Sequence, residues 1–393
     1  MREKPRMAII FSSDFESWPM GGMLSFVRDA IPELEKYFEI ELWGVVADKR
    51  PRDFVIIDGK SYPIFYFGKV KTRKKIIPNF IRVCIGLILN KRKILQRKYD
   101  ILYFHGEPLI IAFNFSRKKK PFMVLHQHGA VCPYPRLIFL YRMMQKISVI
   151  CSHLTFVSAL EHDFRIYREK YFNCISRLKM RRVDNFASPK IFKMMGKSKA
   201  RSILNIQGDF PIFVFASRFV PEKDPLLAIR SFKVFLESYQ LQNSLLILAG
   251  SGPLLGECKN LAERLEISHN VKFLGPIPRE DLVVYINASN ALLHTSRQEG
   301  IPLTLIEAFL CGTPVVAADA PGVNGLVIDG FNGFLVRERT PEAFADKLYN
   351  TIIQEGYLRD NVLKIREKYT PERVIEQIAK IILENAKSHF GNY

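Results

Sequence analysis

Along this chain, short unbroken apolar runs alternate with longer segments in which apolar residues recur every three or four positions. The first kind reads as buried strands and the second as helices with one face on a core. Runs at 7–11, 101–105, 122–125 and 154–159, with alternating strand-like pieces at 40–46 and 53–67, predict the strands of a first half, and runs at 210–216, 244–249, 271–274, 290–295 and 314–318 the strands of a second. Segments 24–37 and 226–239 carry the helical period, and helices are expected from Pro341 onward, after a hairpin or short strand at 330–336. Strand alternating with helix predicts an α/β fold of parallel sheets covered by helices. A chain of 393 residues exceeds what one core usually serves, so two doubly wound, Rossmann-like domains are expected. The basic, polar stretch 193–201 is the expected linker, which divides the chain into 1–195 and 196–370, with a final helical segment at 371–393.

Charge separates the two halves. The chain holds 58 Lys+Arg and 39 Asp+Glu, a net +19. Residues 1–195 account for 36 and 17 of these, 36 − 17 = +19, and residues 196–393 hold 22 of each. The first half therefore faces an anionic partner, either nucleic acid or the acidic lipid of a cytoplasmic leaflet. No acidic residue occurs from Lys69 to Tyr99, where eleven Lys and Arg surround an apolar stretch at 76–89. Segment 69–98 suits a helix lying in the interface of an anionic membrane, or a core helix with a solvated basic face. Arg117 to Lys120 add a second basic cluster. The six cysteines are scattered, with neither C-x-x-C spacing nor close histidine partners, and predict neither a disulfide scaffold nor a zinc site. The start has no apolar region long enough for a secretory signal and no window is long enough to span a bilayer, so a cytoplasmic protein, attached to membrane peripherally if at all, is expected.

The densest chemistry lies at 298–318, QEGIPLTLIEAFLCGTPVVAA. Glu299-Gly300-Ile301-Pro302 reads as a turn, Leu303, Ile306, Phe309 and Leu310 as one helix face, with Pro302 in the first turn and Gly312 just past the end. A helix start attracts anions through its N–H groups, and flanking carboxylates such as Glu299 and Glu307 suit hydroxyl groups. Acids near helix starts also occur as simple caps. Arg218 and Lys223, five residues apart on the loop leaving the strand at 210–216, can close on a diphosphate from two sides. Strand ends at His105, His126 and His128 point toward the crevice where such sheets bind ligands, although a histidine there is more often a buried, hydrogen-bonded residue than a catalyst. Gly21 and Gly22 form a turn after the first strand that lets backbone approach a ligand closely.

Taken together, the Glu-Gly turn, the second Glu, the Ala308-x-x-Cys311-Gly312-x-Pro314-Val-Val tail, the Arg218–Lys223 spacing with Ser217 where Gly is usual, and the His128-Gly129 strand end resemble family 4 retaining glycosyltransferases. The resemblance is firm over 210–340 and looser elsewhere. It implies two Rossmann-like domains facing across a cleft, the GT-B architecture, with the donor held mainly by the second and the acceptor by the first. It implies that Glu299 and His128 contact the transferred sugar or acceptor and that Glu307 holds the ribose hydroxyls. Arg218, Lys223 and the backbone of Gly21, Gly22, Gly300, Ile301, Leu303 and Thr304 serve the donor, while Pro302, often Gly in the family, has no amide to offer. The last helix crosses back to the first domain. The chemistry implied is transfer of a sugar from a UDP- or GDP-linked donor with retained configuration, to a lipid-linked or membrane-associated glycan acceptor at the inner face of the cell membrane. No Asp-x-Asp occurs, so no metal and no further cofactor is expected. Two other classes remain. A basic nucleic-acid-binding protein on a Rossmann scaffold would leave the acids of the second half idle, and a nicotinamide-dependent oxidoreductase lacks G-x-G-x-x-G, with Gly250-Ser251-Gly252 only a fragment of it.

Overall fold

The computed structural model describes residues 4–16, 22–47, 51–70, 79–114, 121–129, 138–173 and 179–390. The chain divides into two compact units, Met1–Asn185 with Pro371–Tyr393, and Phe186–Thr370.

The first unit runs β1 Arg6–Phe11, α1 Gly22–Leu34, β2 Glu39–Ala47, β3 Phe54–Ile57, β4 Lys60–Val70, α2 Asn79–Gln96, β5 Ile101–His105, α3 Glu107–Phe113, β6 Phe122–Gln127, α4 Ile138–Cys151, β7 Leu154–Ser158, α5 Glu161–Phe172 and β8 Met180–Val183. Its sheet has the order β3-β4-β2-β1-β5-β6-β7-β8 and is parallel except for β3. The stretch at 53–67 holds two strands: Asp58 and Gly59, at φ 50 and 78, make the tight turn of a hairpin. Strands β5, β6 and β7 are buried at every position, which is why they read as unbroken apolar runs. Right-handed crossovers put α1 on one face of the sheet and α2, α3 and α4 on the other. The chain leaves β1 toward β2 and returns on the far side to β5, so the topological switch lies between β1 and β5.

The second unit runs α6 Lys197–Ile203, β9 Ile212–Ala216, α7 Pro225–Tyr239, β10 Leu245–Ala249, α8 Leu255–Arg264, β11 Val271–Gly275, α9 Arg279–Ala288, β12 Ala291–His294, α10 Leu303–Leu310, β13 Val315–Ala318, β14 Gly333–Val336, α11 Pro341–Ile353 and α12 Glu355–Ile365. Its all-parallel sheet has the order β11-β10-β9-β12-β13-β14, with the switch between β9 and β12.

The division falls at 185 and 186, not at 195. Phe186 and Phe192 are fully buried, and Asn287 ties the following segment down by accepting from Met195 N–H and donating to the Lys193 carbonyl. The expected linker becomes α6, whose buried Arg201 donates to the carbonyls of Gly208, Phe210 and Ala288. A basic composition suggested solvent, whereas a guanidinium with five donors can be buried by saturating carbonyls. The last helix, α13 (Pro371–Phe390), packs on α1 and β6, burying Val374, Ile375, Ile378, Ala379 and Ile382.

Helix α2 sits close on β4 at Gly86, where a Cβ would stand 2.2 Å from the Phe67 carbonyl oxygen. In a free helix Gly→Ala is favourable by about 1 kcal/mol. Here the carbonyl cannot yield without moving the strand, and overpacking of this kind costs typically ~1–3 kcal/mol. Gly86→Ala is therefore expected to lower stability in a urea titration; a gain would show that α2 lies farther from β4.

Candidate active site

Both loops that flank the second unit's switch point are fixed by backbone. The loop leaving β9 is pinned where Ser217 N–H donates to Ala249 O, Phe219 N–H to Ser251 O and Leu254 N–H to Phe219 O. Gly250 and Gly252 make this possible: a Cβ there would lie 1.9 Å from Ser217 O and 2.4 Å from Phe219 O. The glycines that read as a dinucleotide fragment thus serve to hold the loop that carries Arg218. Arg218 itself is exposed, and its guanidinium has no partner among the described residues.

The same loop is stitched to the one leaving β12. Thr295 Oγ1 donates to the carbonyls of Lys223 and Asp224, and Arg297 N–H to Glu222 O. Asp224, left-handed at φ 49, caps α7 by accepting from Leu227 N–H and holds Arg297 at 2.7 Å and Arg339 at 2.9 Å. Arg339 in turn donates to the carbonyls of Thr295 and Ser296. So fastened, Lys223 Nζ donates to Glu299, and His294 Nε2 stands 3.0 Å from the same oxygen, off the line of an aligned hydrogen bond. The Glu299 side chain is 11% exposed. Burial pushes its pKa up, but His294 and Lys223 outweigh burial and hold it down to about 2. Glu299-Gly300 lies against Gly322, where a Cβ would be 2.2 Å from Gly300 O.

Helix α10 follows directly. Pro302 is its extended N-cap, one position earlier than the first helical turn expected for it, and no side chain caps the start. The N–H groups at Leu303 and Thr304, both half-buried residues, therefore form an uncapped positive end, with Ile301 packed behind. Glu307, one turn further, is 5% exposed, with Arg279 Nη2 3.5 Å from it. Arg279 begins α9 after the Gly275–Pro278 loop. Spacing had singled out Lys223, Glu299 and Glu307. Sequence reasoning misses Asp224, Arg279 and Arg339, whose partners lie on other elements, and His294, whose ring is aimed at Glu299 five residues on by the fold of the loop between them.

In the first unit Gly22 opens α1 and is exposed; Gly21 lies outside the described residues. His105 and His126 are register partners on β5 and β6, and His128 is two residues beyond. The period of two puts all three rings, with Tyr103, on the face of the sheet that α1 covers. Nitrogens of the three lie within 4.8 Å of one another, a spacing that a metal ion could bridge. Ring orientation argues otherwise. The planes are stacked, 7° apart for His126 and His128 and 28° for His105 and His128, whereas a metal must lie in the plane of each ligand ring, along its lone pair. Both nitrogens of His126 are also engaged, by Tyr103 OH at 2.6 Å and Ser158 Oγ at 2.9 Å. Burial pushes all three pKa values down, that of His128 to about 3, so the rings are neutral near pH 7.

The family described as Glycosyl transferases group 1 matches residues 196–383. D-inositol 3-phosphate glycosyltransferase of Streptomyces griseus is 36% identical over 160 residues, 39% of this chain and 34% of that protein. The chain thus spans about a third of that relative's length. UDP-Gal:alpha-D-GlcNAc-diphosphoundecaprenol alpha-1,3-galactosyltransferase of Escherichia coli is 23% identical over 341 residues, 82% of this chain and 84% of that protein. Among solved structures, sucrose-phosphate synthase from Thermosynechococcus elongatus has a TM-score of 0.76 at 19% identity, covering 99% of this chain and 100% of that one. Anabaena HepE in complex with UDP has 0.71 at 19%, covering 96% and 100%. The fold is GT-B, and the matches support a glycosyltransferase.

Because Glu299 is the counter-charge of Lys223, Glu299→Gln leaves a partly buried ammonium without its carboxylate, at an expected cost of ~3 kcal/mol. The depressed pKa gives the sign. The carboxylate's contribution is complete above its ordinary value of 4.5 and fades as pH falls toward about 2. Urea titrations of wild type and variant should differ fully at pH 7 and converge only below pH 4.5; a gap that closes already near pH 6 would contradict the ion pair.

Proposed function

We propose that this protein is a retaining, metal-independent glycosyltransferase of the family 4 type. It moves a hexose from a UDP- or GDP-linked donor to a lipid-linked or membrane-associated glycan acceptor, in the assembly of surface polysaccharide or glycolipid. The observation that carries the reading is the stitched switch point of the second unit, where loops tied to each other carry Lys223 and the uncapped start of α10, and α10 carries the buried Glu307. HepE was solved with UDP and with UDP-glucose, and the E. coli relative is named for a UDP-Gal donor and a diphosphoundecaprenol acceptor, which supports both halves of the reaction.

In this reading Glu307 accepts from the ribose hydroxyls, and Arg218, Lys223 and the amides of Gly300, Ile301, Leu303 and Thr304 take the diphosphate. Glu299 sets the position of Lys223 and, with His128, contacts the transferred sugar or the acceptor. The bond from the anomeric carbon to the diphosphate oxygen breaks, the acceptor oxygen bonds to the same face, and the departing phosphate oxygen takes the acceptor proton. The sequence has no Asp-x-Asp, so the charge of the leaving group falls to these cations and amides. Calorimetric titration with UDP and GDP tests the site. Glu307→Ala and Lys223→Ala should each weaken the preferred nucleotide roughly 10- to 100-fold, the loss of one charge-assisted hydrogen bond. Wild-type affinity in both folded variants would remove the assignment.

The acceptor side rests on α2 and α4. Both pack on α3, and both turn apolar residues outward: Phe80, Ile81, Ile85, Ile88 and Leu89 on α2, and Phe139, Leu140, Met143, Ile147 and Ile150 on α4. On α4 the buried side is partly polar, with Gln145 and Ser148 fully buried beside Val149. From Lys60 to Leu160 the chain carries two carboxylates, Asp100 and Glu107, against many Lys and Arg. An apolar surface ringed by cations matches an anionic bilayer, where each Lys or Arg adds about 1 kcal/mol. Of segment 69–98, residues 71–78 lie outside the described residues. No helix among the described residues is long and apolar enough to cross a membrane. In vesicle flotation, wild type should rise with phosphatidylglycerol-containing vesicles and not with pure phosphatidylcholine, and Leu89→Asp with Ile150→Asp should abolish the rise. Equal recovery with both vesicle types, or dimerisation lost in the double variant, would replace the lipid by another occupant.

A further inference from the structure

Two of the three stacked histidines share a hydrogen bond that the function proposed above does not use. His105 Nδ1 lies 2.9 Å from His128 Nε2. His126 Nδ1 and Nε2 are each occupied, by Tyr103 and Ser158, and its ring stacks 4.5 Å from that of His128. Phe26 of α1 sets its edge on both, at 4.7 Å from His126 and 4.9 Å from His128. Among the described residues, His128 is therefore fixed in position by ring contacts on two sides and in rotation by a single hydrogen bond.

We propose that His105 is a positioning residue that fixes which ring nitrogen of His128 carries its proton. This rests on the reading that His128 contacts the transferred sugar or the acceptor. Between two neutral imidazoles one nitrogen of the pair donates and the other accepts, so the two tautomers are coupled. If His105 Nδ1–H donates, the His128 proton sits on Nδ1, and the ring offers a hydroxyl a donor. If His128 Nε2–H donates, its Nδ1 is bare and offers an acceptor. Either way Nδ1 is the nitrogen left to meet a substrate, and His105 decides its character. Without His105 both tautomers of His128 become accessible, and only a fraction of molecules present the productive one. The neighbours do not impose this choice, because His126 has no nitrogen to spare and Phe26 offers only ring carbons.

Asparagine and phenylalanine at position 105 separate proton pairing from packing. The Asn side-chain amide reaches the place of Nδ1 and can donate or accept there, whereas Phe keeps an aromatic ring and removes the bond. With 15N-histidine-labelled full-length protein, the His128 nitrogens should report a single tautomer in wild type and in His105→Asn, and a shifted or averaged pair in His105→Phe. Sugar transfer should follow, with kcat about 10-fold lower in His105→Phe, KM for the donor unchanged, and kcat within roughly 3-fold of wild type in His105→Asn. A wild-type nitrogen pattern in folded His105→Phe overturns the proposal. So does a shifted pattern with unchanged kcat. His128→Phe, assayed alongside, tells whether that second failure belongs to the role of His128 itself: a rate that survives it ends the functional reading of His128, while the tautomer measurement stands by itself.

Discussion

An ammonium held against a carboxylate at the carboxyl ends of β9 and β12 governs the second unit. Taking two charges out of water is costly, and their attraction offsets the cost only when the geometry leaves little to reorganise. That geometry comes from backbone. Gly250 and Gly252 let one loop lie against its neighbour, Gly322 does the same for the other, and Thr295, Asp224 and Arg339 tie the two together. The charged pair is thus less a source of stability than the reason so many further contacts are needed around it. Under the proposed function, a site assembled this way has its cations and amides in place before a diphosphate arrives.

The first unit fills its corresponding switch point by another route. Where the second uses ions, the first uses neutral imidazoles, packed ring on ring beneath α1 and joined through Tyr103, Ser158 and each other. Such a stack tolerates burial because Tyr103, Ser158 and the rings pair most of its polar atoms, and because neutral rings carry little desolvation cost. The contrast suits the labour proposed for each half: charge where a diphosphate must be gripped, and fixed neutral donors and acceptors where sugar hydroxyls must be sorted.

Much of this was legible before any coordinates. Unbroken runs such as 101–105 and 212–216 are buried on both faces of parallel sheets, and that condition writes itself directly into composition. The Glu299 and Glu307 spacing and the Arg218 and Lys223 loop were equally plain, since each is local. What stayed hidden was non-local or ran against the hydrophobic pattern. Nothing around Arg339 points to Asp224, and the basic stretch at 193–201 reads as solvent because the carbonyls that receive Arg201 lie elsewhere in the chain. Helix α4 shows the limit of hydrophobic patterning most clearly, for five of its apolar residues face outward while Gln145 and Ser148 are buried beside Val149. Periodicity gives the existence of a face and is silent on which side holds the core.

The placement of α13 has a consequence for how the molecule comes into being. The second unit is one uninterrupted stretch, and every contact it needs is on hand once that stretch has left the ribosome. The first begins earlier and finishes last, since the apolar flank of α1 is covered by residues near the carboxyl end. Translation therefore reverses the expected order of domain maturation. Throughout the synthesis of the second unit, the nascent first one carries an open seam, and a prematurely released chain would lose the lid on its opening half, not merely its tail.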